Sequence, residues 1–216
     1  MNRRRRRTGL AGAVAGIGLL VLLTLAVHFT YAIWPWPETA RGSGALREAV
    51  LVERARVETI ADEAAIRLIG TVIEWTYRIT FEWTGLDSLM QPDDNGVAGR
   101  MSRGLRGLTE TFYWSIQLTA LRLGVLLVSL PLFLAALVAG AVDGAAAWYL
   151  RRSSVGRESG FIYHRAKFAL WMVVFALWLV YLVPPVPLDP VKLIPPFVFL
   201  FGVGVRFTVS WFKKYI

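Results

Sequence analysis

The chain has 216 residues, a formal net charge of +9, no cysteine, 9 Trp and a hydrophobic content of 56%. A mean hydropathy of +0.50 is wrong for most soluble domains, and the basic residues gather beside apolar runs rather than over a surface, so a membrane protein is expected and a nucleic-acid-binding domain is not. Without cysteine there is no disulfide framework, no thiolate nucleophile and no cysteine-based metal site, which leaves the redox compartment open.

The chain opens on a run of arginines, Arg3 to Arg7, followed by an apolar stretch from Leu10 to about Ile33. Signal-peptide cores are usually roughly 7 to 15 residues long. The stretch here is longer and Thr30-Tyr31-Ala32 makes a mediocre cleavage site, so a retained anchor is expected, with the arginines as a topogenic cluster.

From Ser43 to about Trp83, apolar residues recur at Leu46, Val50, Val57, Ala61, Ala64, Leu68, Val72, Trp75 and Ile79. Steps of three and four predict one amphipathic helix. Glu63 with Arg67 and Glu74 with Arg78 are spaced as favourable i,i+4 pairs, each worth only ~0.2 to 0.5 kcal/mol. A turn rich in Gly, Pro, Asp and Asn follows, then a second stripe at Val97, Met101, Leu105, Leu108, Phe112 and Ile116 that runs into the next apolar stretch. Two such helices around a turn predict a hairpin with facing stripes. In the rival arrangement Ile66, Ile69 and Ile73 lay the first helix on the outer membrane face.

Three further apolar stretches follow: Leu123 to Trp148, free of charge until Asp143; Phe168 to Val183, ended by Pro184-Pro185; and Val191 to Phe212, with Pro195-Pro196 in its first turns. Each suits a bilayer crossing of about 20 helical residues, the middle one by starting earlier and carrying its polar "YHRAK" through the headgroup layer. The amino terminus, the connection holding Arg151, Arg152, Arg157, Arg165 and Lys167, and the ending Lys213-Lys214 are basic flanks and belong on the cytoplasmic side. The expected fold is therefore all-α, a polytopic membrane protein with four transmembrane helices and a long periplasmic amphipathic helical hairpin between spans one and two. Its segments are 1–34 (Arg-rich start and span one), 35–122 (periplasmic), 123–150 (span two), 151–167 (basic loop), 168–183 (span three), 184–190 (outer turn), 191–212 (span four) and 213–216 (tail).

Chemistry is sparse. Glu158, Ser159 and His164 are triad residue types, but five helical positions separate Ser159 from His164 and turn them to different sides. His28 and His164 fall at opposite membrane faces, so no metal ligand set forms. No phosphate-binding or dinucleotide fingerprint is present. No catalytic, cofactor or metal residue is assigned, and the arginines read as anchors for membrane phospholipid. Asp143 and Arg206 each lie about two turns inside the cytoplasmic boundary, where an isolated charge is costly; an ion pair between them is expected, with Arg165 as the competing partner of Asp143. Gly12 with Gly16, and Ala136, Gly140 and Gly144, give small-residue spacing that a compact bundle or a homo-oligomer satisfies equally.

"GAVDGAAAWYLRR" (Gly140 to Arg152), "GRESGFIYHRAK" (Gly156 to Lys167) and the terminal "FKKYI" (Phe212 to Ile216) resemble the integrating conjugative element membrane proteins of proteobacteria, a domain-of-unknown-function family. The resemblance is clearest over the carboxyl-terminal half. It implies an inner-membrane protein encoded beside type IV secretion components and a coupling ATPase, with no established catalytic residue. It marks Asp143, Arg157, Glu158, Tyr163, His164 and Arg165 as a signature surface on the cytoplasmic side, of which Arg157, Glu158, Tyr163, His164 and Arg165 are read as a partner-docking surface. The expectation is a non-enzymatic scaffold or accessory subunit of a conjugative DNA-transfer apparatus, without sequence-specific nucleic-acid binding. The alternatives are a small transporter or pore, disfavoured by nearly bare spans, and a membrane enzyme using the Glu158 to His164 cluster.

Overall fold

A computed structural model of the protein describes residues 3–34, 41–86, 97–153 and 160–212. Its helices are α1 (Arg3–Ile33), α2 (Gly42–Ile60), α3 (Glu63–Tyr77) with a π-helical continuation Arg78–Glu82, α4 (Val97–Ser153), α5 (Gly160–Leu177) with a π-helical continuation Trp178–Leu182, and α6 (Pro190–Ser210). Three helical stretches are long and apolar enough to cross a membrane: Arg106–Ser153, Tyr163–Leu182 and Pro190–Ser210. The apolar part of α1 among the described residues, Gly18–Ile33, is shorter. α4 has 57 residues, roughly 85 Å of helix, nearly three times the ~30 Å hydrocarbon core.

The chain forms two compact units. The first comprises 1–124 and 182–187. Here the sequence expectation of a single helix from Ser43 to Trp83 is corrected. Ala61 is extended, and the Asp62 side chain accepts a hydrogen bond from the Ala65 amide at 2.8 Å, capping a new helix. The break resets the helical phase. On α2 the buried residues are Leu46, Ala49, Val50, Glu53 and Val57, but beyond the break the expected stripe is the uncovered one: Leu68, Trp75 and Ile79 are exposed, while Ile69 and Phe81 are buried.

Both helices pack on the first half of α4, in opposite directions. α2 runs parallel to it, pairing Ser43 with Glu110, Val50 with Leu118 and Glu53 with Arg122. α3 runs antiparallel, from Ile69 at Gly124 to Phe81 at Phe112 and Tyr113. A Cβ on Gly124 would sit 3.1 Å from the Ile69 Cα, so the glycine permits this crossing. The π-helical turn stacks Tyr77 and Phe81 at 5.5 Å and completes an aromatic layer with Phe112, Tyr113 and Phe29. α1 adds Ala32 to the cluster of Leu46, Ala49, Val50 and Leu118. The i,i+4 pairs Glu63–Arg67 and Glu74–Arg78 form on the surface, together with Arg54–Glu58.

The second unit comprises 125–181 and 188–216. α4 and α6 lie in backbone contact at small residues: a Cβ on Gly144 would be 2.7 Å from the Arg206 carbonyl oxygen, and one on Gly140 would collide with that of Gly202. The Ala136-Gly140-Gly144 spacing is thus used within the chain, allowing the close approach that small residues favour in membrane helices. Gly204 receives Leu170 of α5 in the same way, and Phe133 meets Phe201 edge to face at 5.6 Å. α6 begins at an Asp189 cap whose carboxylate accepts from the Val191 amide and pairs with Lys192. The hydrogen bond from Lys192 holds that carboxyl below the usual aspartate range.

Candidate functional site

Among the described residues, a fully buried polar network lies in the first unit and centres on Arg122, a residue that the sequence places at the very edge of the apolar run of α4. Its side chain is 0% exposed, as is that of Glu53 on α2. The guanidinium donates from Nε to both Glu53 carboxylate oxygens, at 3.2 and 3.1 Å, and from Nη2 to Oε2 at 2.9 Å. The remaining donors hold a third segment: Nη1 reaches the carbonyls of Leu182 and Pro184, at 3.3 and 2.6 Å, and Nη2 that of Val186 at 2.6 Å. One planar fork therefore ties α2, α4 and the Leu182–Val186 strap together, a geometry that lysine does not offer.

The strap suits that role. Pro184, Pro185 and Pro187 remove backbone donors and hold the chain extended, leaving carbonyls to be satisfied from outside. Arg122 supplies the N–H groups that the prolines cannot. His28 on α1 completes the surroundings. It is fully buried, with the backbone of Ser115, Leu182 and Val183 facing its ring, although neither ring nitrogen meets hydrogen-bond geometry. Next to the clamp, α2, α3 and α4 enclose a groove of about 350 Å³ with Val57, Ile69, Ile73 and Leu121 among its walls and Gln117, Glu58 and Glu74 on its polar side.

The residues singled out from sequence lie elsewhere. Asp143 and Arg206 form an ion pair in the second unit, each about half exposed, and Arg165 is exposed. Tyr163 meets His164 at 5.5 Å and Phe212 at 5.9 Å, both edge to face. Arg157 and Glu158 lie outside the described residues. The Glu53–Arg122 pair was missed because its members are 69 positions apart and no local window joins them. The available signal was a lone arginine touching an uninterrupted apolar run, beside a glutamate at the helical spacing of the buried face of α2.

Chemically, the clamp is a satisfied architectural network. Its carboxylate is engaged by two guanidinium nitrogens, and the arginine is spread over four acceptor groups. Among the described residues, no group of three or more His, Asp or Glu side chains is placed to hold a metal ion.

Comparison with known families gives a match over most of the chain. The family model described as "IncC plasmid conjugative DNA transfer protein DtrJ-like" covers residues 33–213. No curated protein and no solved structure matches the chain. The resemblance read from sequence named an integrating element and the family description names a plasmid; conjugative DNA transfer is their common content.

Proposed function

Because the chain belongs to the DtrJ-like family of conjugative DNA transfer proteins, we propose that it is a non-enzymatic scaffold or accessory subunit of a type IV secretion-like transfer apparatus in the bacterial inner membrane. In this reading α1 supplies a fourth span, both termini are cytoplasmic, and α2, α3 and the first part of α4 stand on the periplasmic side. The basic flanks at Arg3 to Arg7, Arg151 to Lys167 and Lys213-Lys214 support that orientation.

The observation that carries the scaffold role is the Arg122 clamp. Its charged groups are spent on fixing helices to one another, and the surface left outside is an uncovered apolar face on α3, with Leu68, Trp75 and Ile79 exposed. Rigid helices presenting apolar and aromatic side chains are what a partner subunit docks on. On the cytoplasmic side, the segment Arg157 to Arg165 is the proposed docking surface for other transfer proteins, a coupling ATPase among them.

Conjugation frequency from a donor lacking the gene tests the role. The deletion strain is complemented with wild type or with a form carrying alanine at Arg157, Glu158, His164 and Arg165, and membrane levels are followed in parallel. Loss of transfer on deletion, unrescued by the alanine form at normal levels, is the expected result. Undiminished transfer from the deletion strain removes the machine-component reading. The absence of cysteine makes the orientation testable by single substitutions: a membrane-impermeant maleimide is expected to label Thr84→Cys in intact cells and Arg152→Cys only after the inner membrane is opened.

A further inference from the structure

The second unit contains a groove that the scaffold role does not use. It opens between the carboxyl-terminal turns of α4 and α6, has a volume of about 310 Å³, and is lined by Ala145, Trp148, Thr208, Val209 and Phe212. The Thr208 hydroxyl is already satisfied, donating to the Gly204 carbonyl at 2.8 Å. What remains is an apolar slot.

Two arginines are anchored on aromatic rings close by. The Arg152 guanidinium stands 5.3 Å above the ring of Trp148, itself a wall of the groove. Arg151 is held 3.7 Å above Trp211, next in sequence to the wall residue Phe212, and donates to the Ser210 carbonyl at 2.7 Å. These contacts fix two positive charges over the ends of helices that are apolar enough to cross a membrane. Trp148, Tyr149 and Trp211 gather where the apolar helices end, as at an interfacial aromatic belt. An apolar slot with one guanidinium stacked on its wall and a second on the neighbouring turn matches the two parts of one ligand, an acyl chain and a phosphate.

We propose that this groove is a specific site for an anionic phospholipid, with one acyl chain lying along Ala145, Thr208 and Val209 and the phosphate taken by Arg152 under the positive potential of Arg151. The site rests on the geometry of α4 and α6 alone and goes beyond the transfer role.

The test is lipid retention by the purified full chain in detergent, read by native mass spectrometry after adding phosphatidylglycerol or phosphatidylcholine. A juxtamembrane arginine favours an anionic headgroup by about fivefold, so wild type is expected to retain phosphatidylglycerol at least about fivefold better. Arg152→Gln, at an exposed side chain, is expected to cut that preference several-fold, to what the potential of Arg151 alone sustains, while some binding of both lipids persists. Ala145→Phe, which fills the slot, is expected to lower retention of both. Equal retention of the two lipids by wild type overturns the proposal. So does an unchanged preference in Arg152→Gln, which decides the matter even where Ala145→Phe fails to fold. Glycerol 3-phosphate, a headgroup without chains, is expected not to displace the bound lipid, and full displacement by it removes the groove from the site.

Discussion

Replacing Glu53 with glutamine keeps the shape of the side chain and removes the negative charge that faces the buried Arg122 guanidinium. Breaking a buried pair in this way costs about 3 to 5 kcal/mol. The upper half of that range is expected, because Arg122 is 0% exposed and its carbonyl partners at 182, 184 and 186 cannot neutralise a charge. For a chain of this length about 1 kcal/mol moves the unfolding midpoint by roughly 2 to 4 °C, so a fall on the order of 10 °C is predicted in a detergent thermal melt. Arg122→Gln should cost a similar amount by another route, since it deprives both Glu53 and the strap carbonyls of donors. The double variant Glu53→Gln, Arg122→Gln should be less damaged than the sum of the single changes, because no lone charge remains in the pair. Hydrogen exchange adds a local readout, with loss of protection along α2 expected in each single variant. A shift under about 1 kcal/mol for Glu53→Gln, or strict additivity in the cycle, refutes the clamp.

Gly140→Leu and Gly144→Leu should each abolish the close approach of α4 to α6 and sharply lower the yield of folded protein, whereas Gly70→Ala, inside α3 with an added Cβ that meets nothing within 4 Å, should keep the yield and raise the melting point slightly, by the ~0.4 to 1 kcal/mol that alanine gains over glycine in a helix. Asp143 and Arg206 form an ion pair, so in a double-mutant cycle the combined loss from Asp143→Asn and Arg206→Gln is expected to be smaller than the sum of the single losses; fully additive losses count against the pair. Asp189 has a folded-state pKa below its ordinary value, held there first by the Lys192 hydrogen bond. Its contribution is therefore complete above the ordinary carboxylate range and is lost as pH falls through the lower folded value. Exchange of the Val191 amide should stay slow until that lower pH, and Lys192→Ala should move the loss to higher pH.

Much of the architecture can be read in the sequence, for reasons that differ by element. The apolar runs of α4 and α6 are long and nearly uncharged, so length marks them as candidate spans, and that of α5 qualifies once its polar start at Tyr163 is included. The surface pairs Glu63–Arg67 and Glu74–Arg78 follow from helical spacing, a local property. The break at Asp62 was also locally encoded, as a capping residue, but Ala61 and Ala64 continue the apolar period across it and hide the change of phase. Ile69 and Phe81 consequently pack on α4 while the more regular stripe stays outside. The Arg122 clamp lies beyond any local rule. Its three segments are far apart in sequence, and an arginine beside an apolar run reads equally well as a headgroup anchor.

The π-helical turn at Arg78–Glu82 bears on how the chain tolerates changes of length. Such a turn accommodates one residue more than an α-helix does, and inserting a residue into a regular helix would rotate everything beyond it by about 100°. Here the surplus is confined to a wide turn, with Ile69 seated on Gly124 before it and Phe81 in the aromatic layer within it. The turn is thus a register buffer. Relatives that lack one residue between 78 and 82 would close it to an α-helical turn and keep Ile69 in place, while the same deletion within Glu63–Tyr77 would turn Phe81 away from α4.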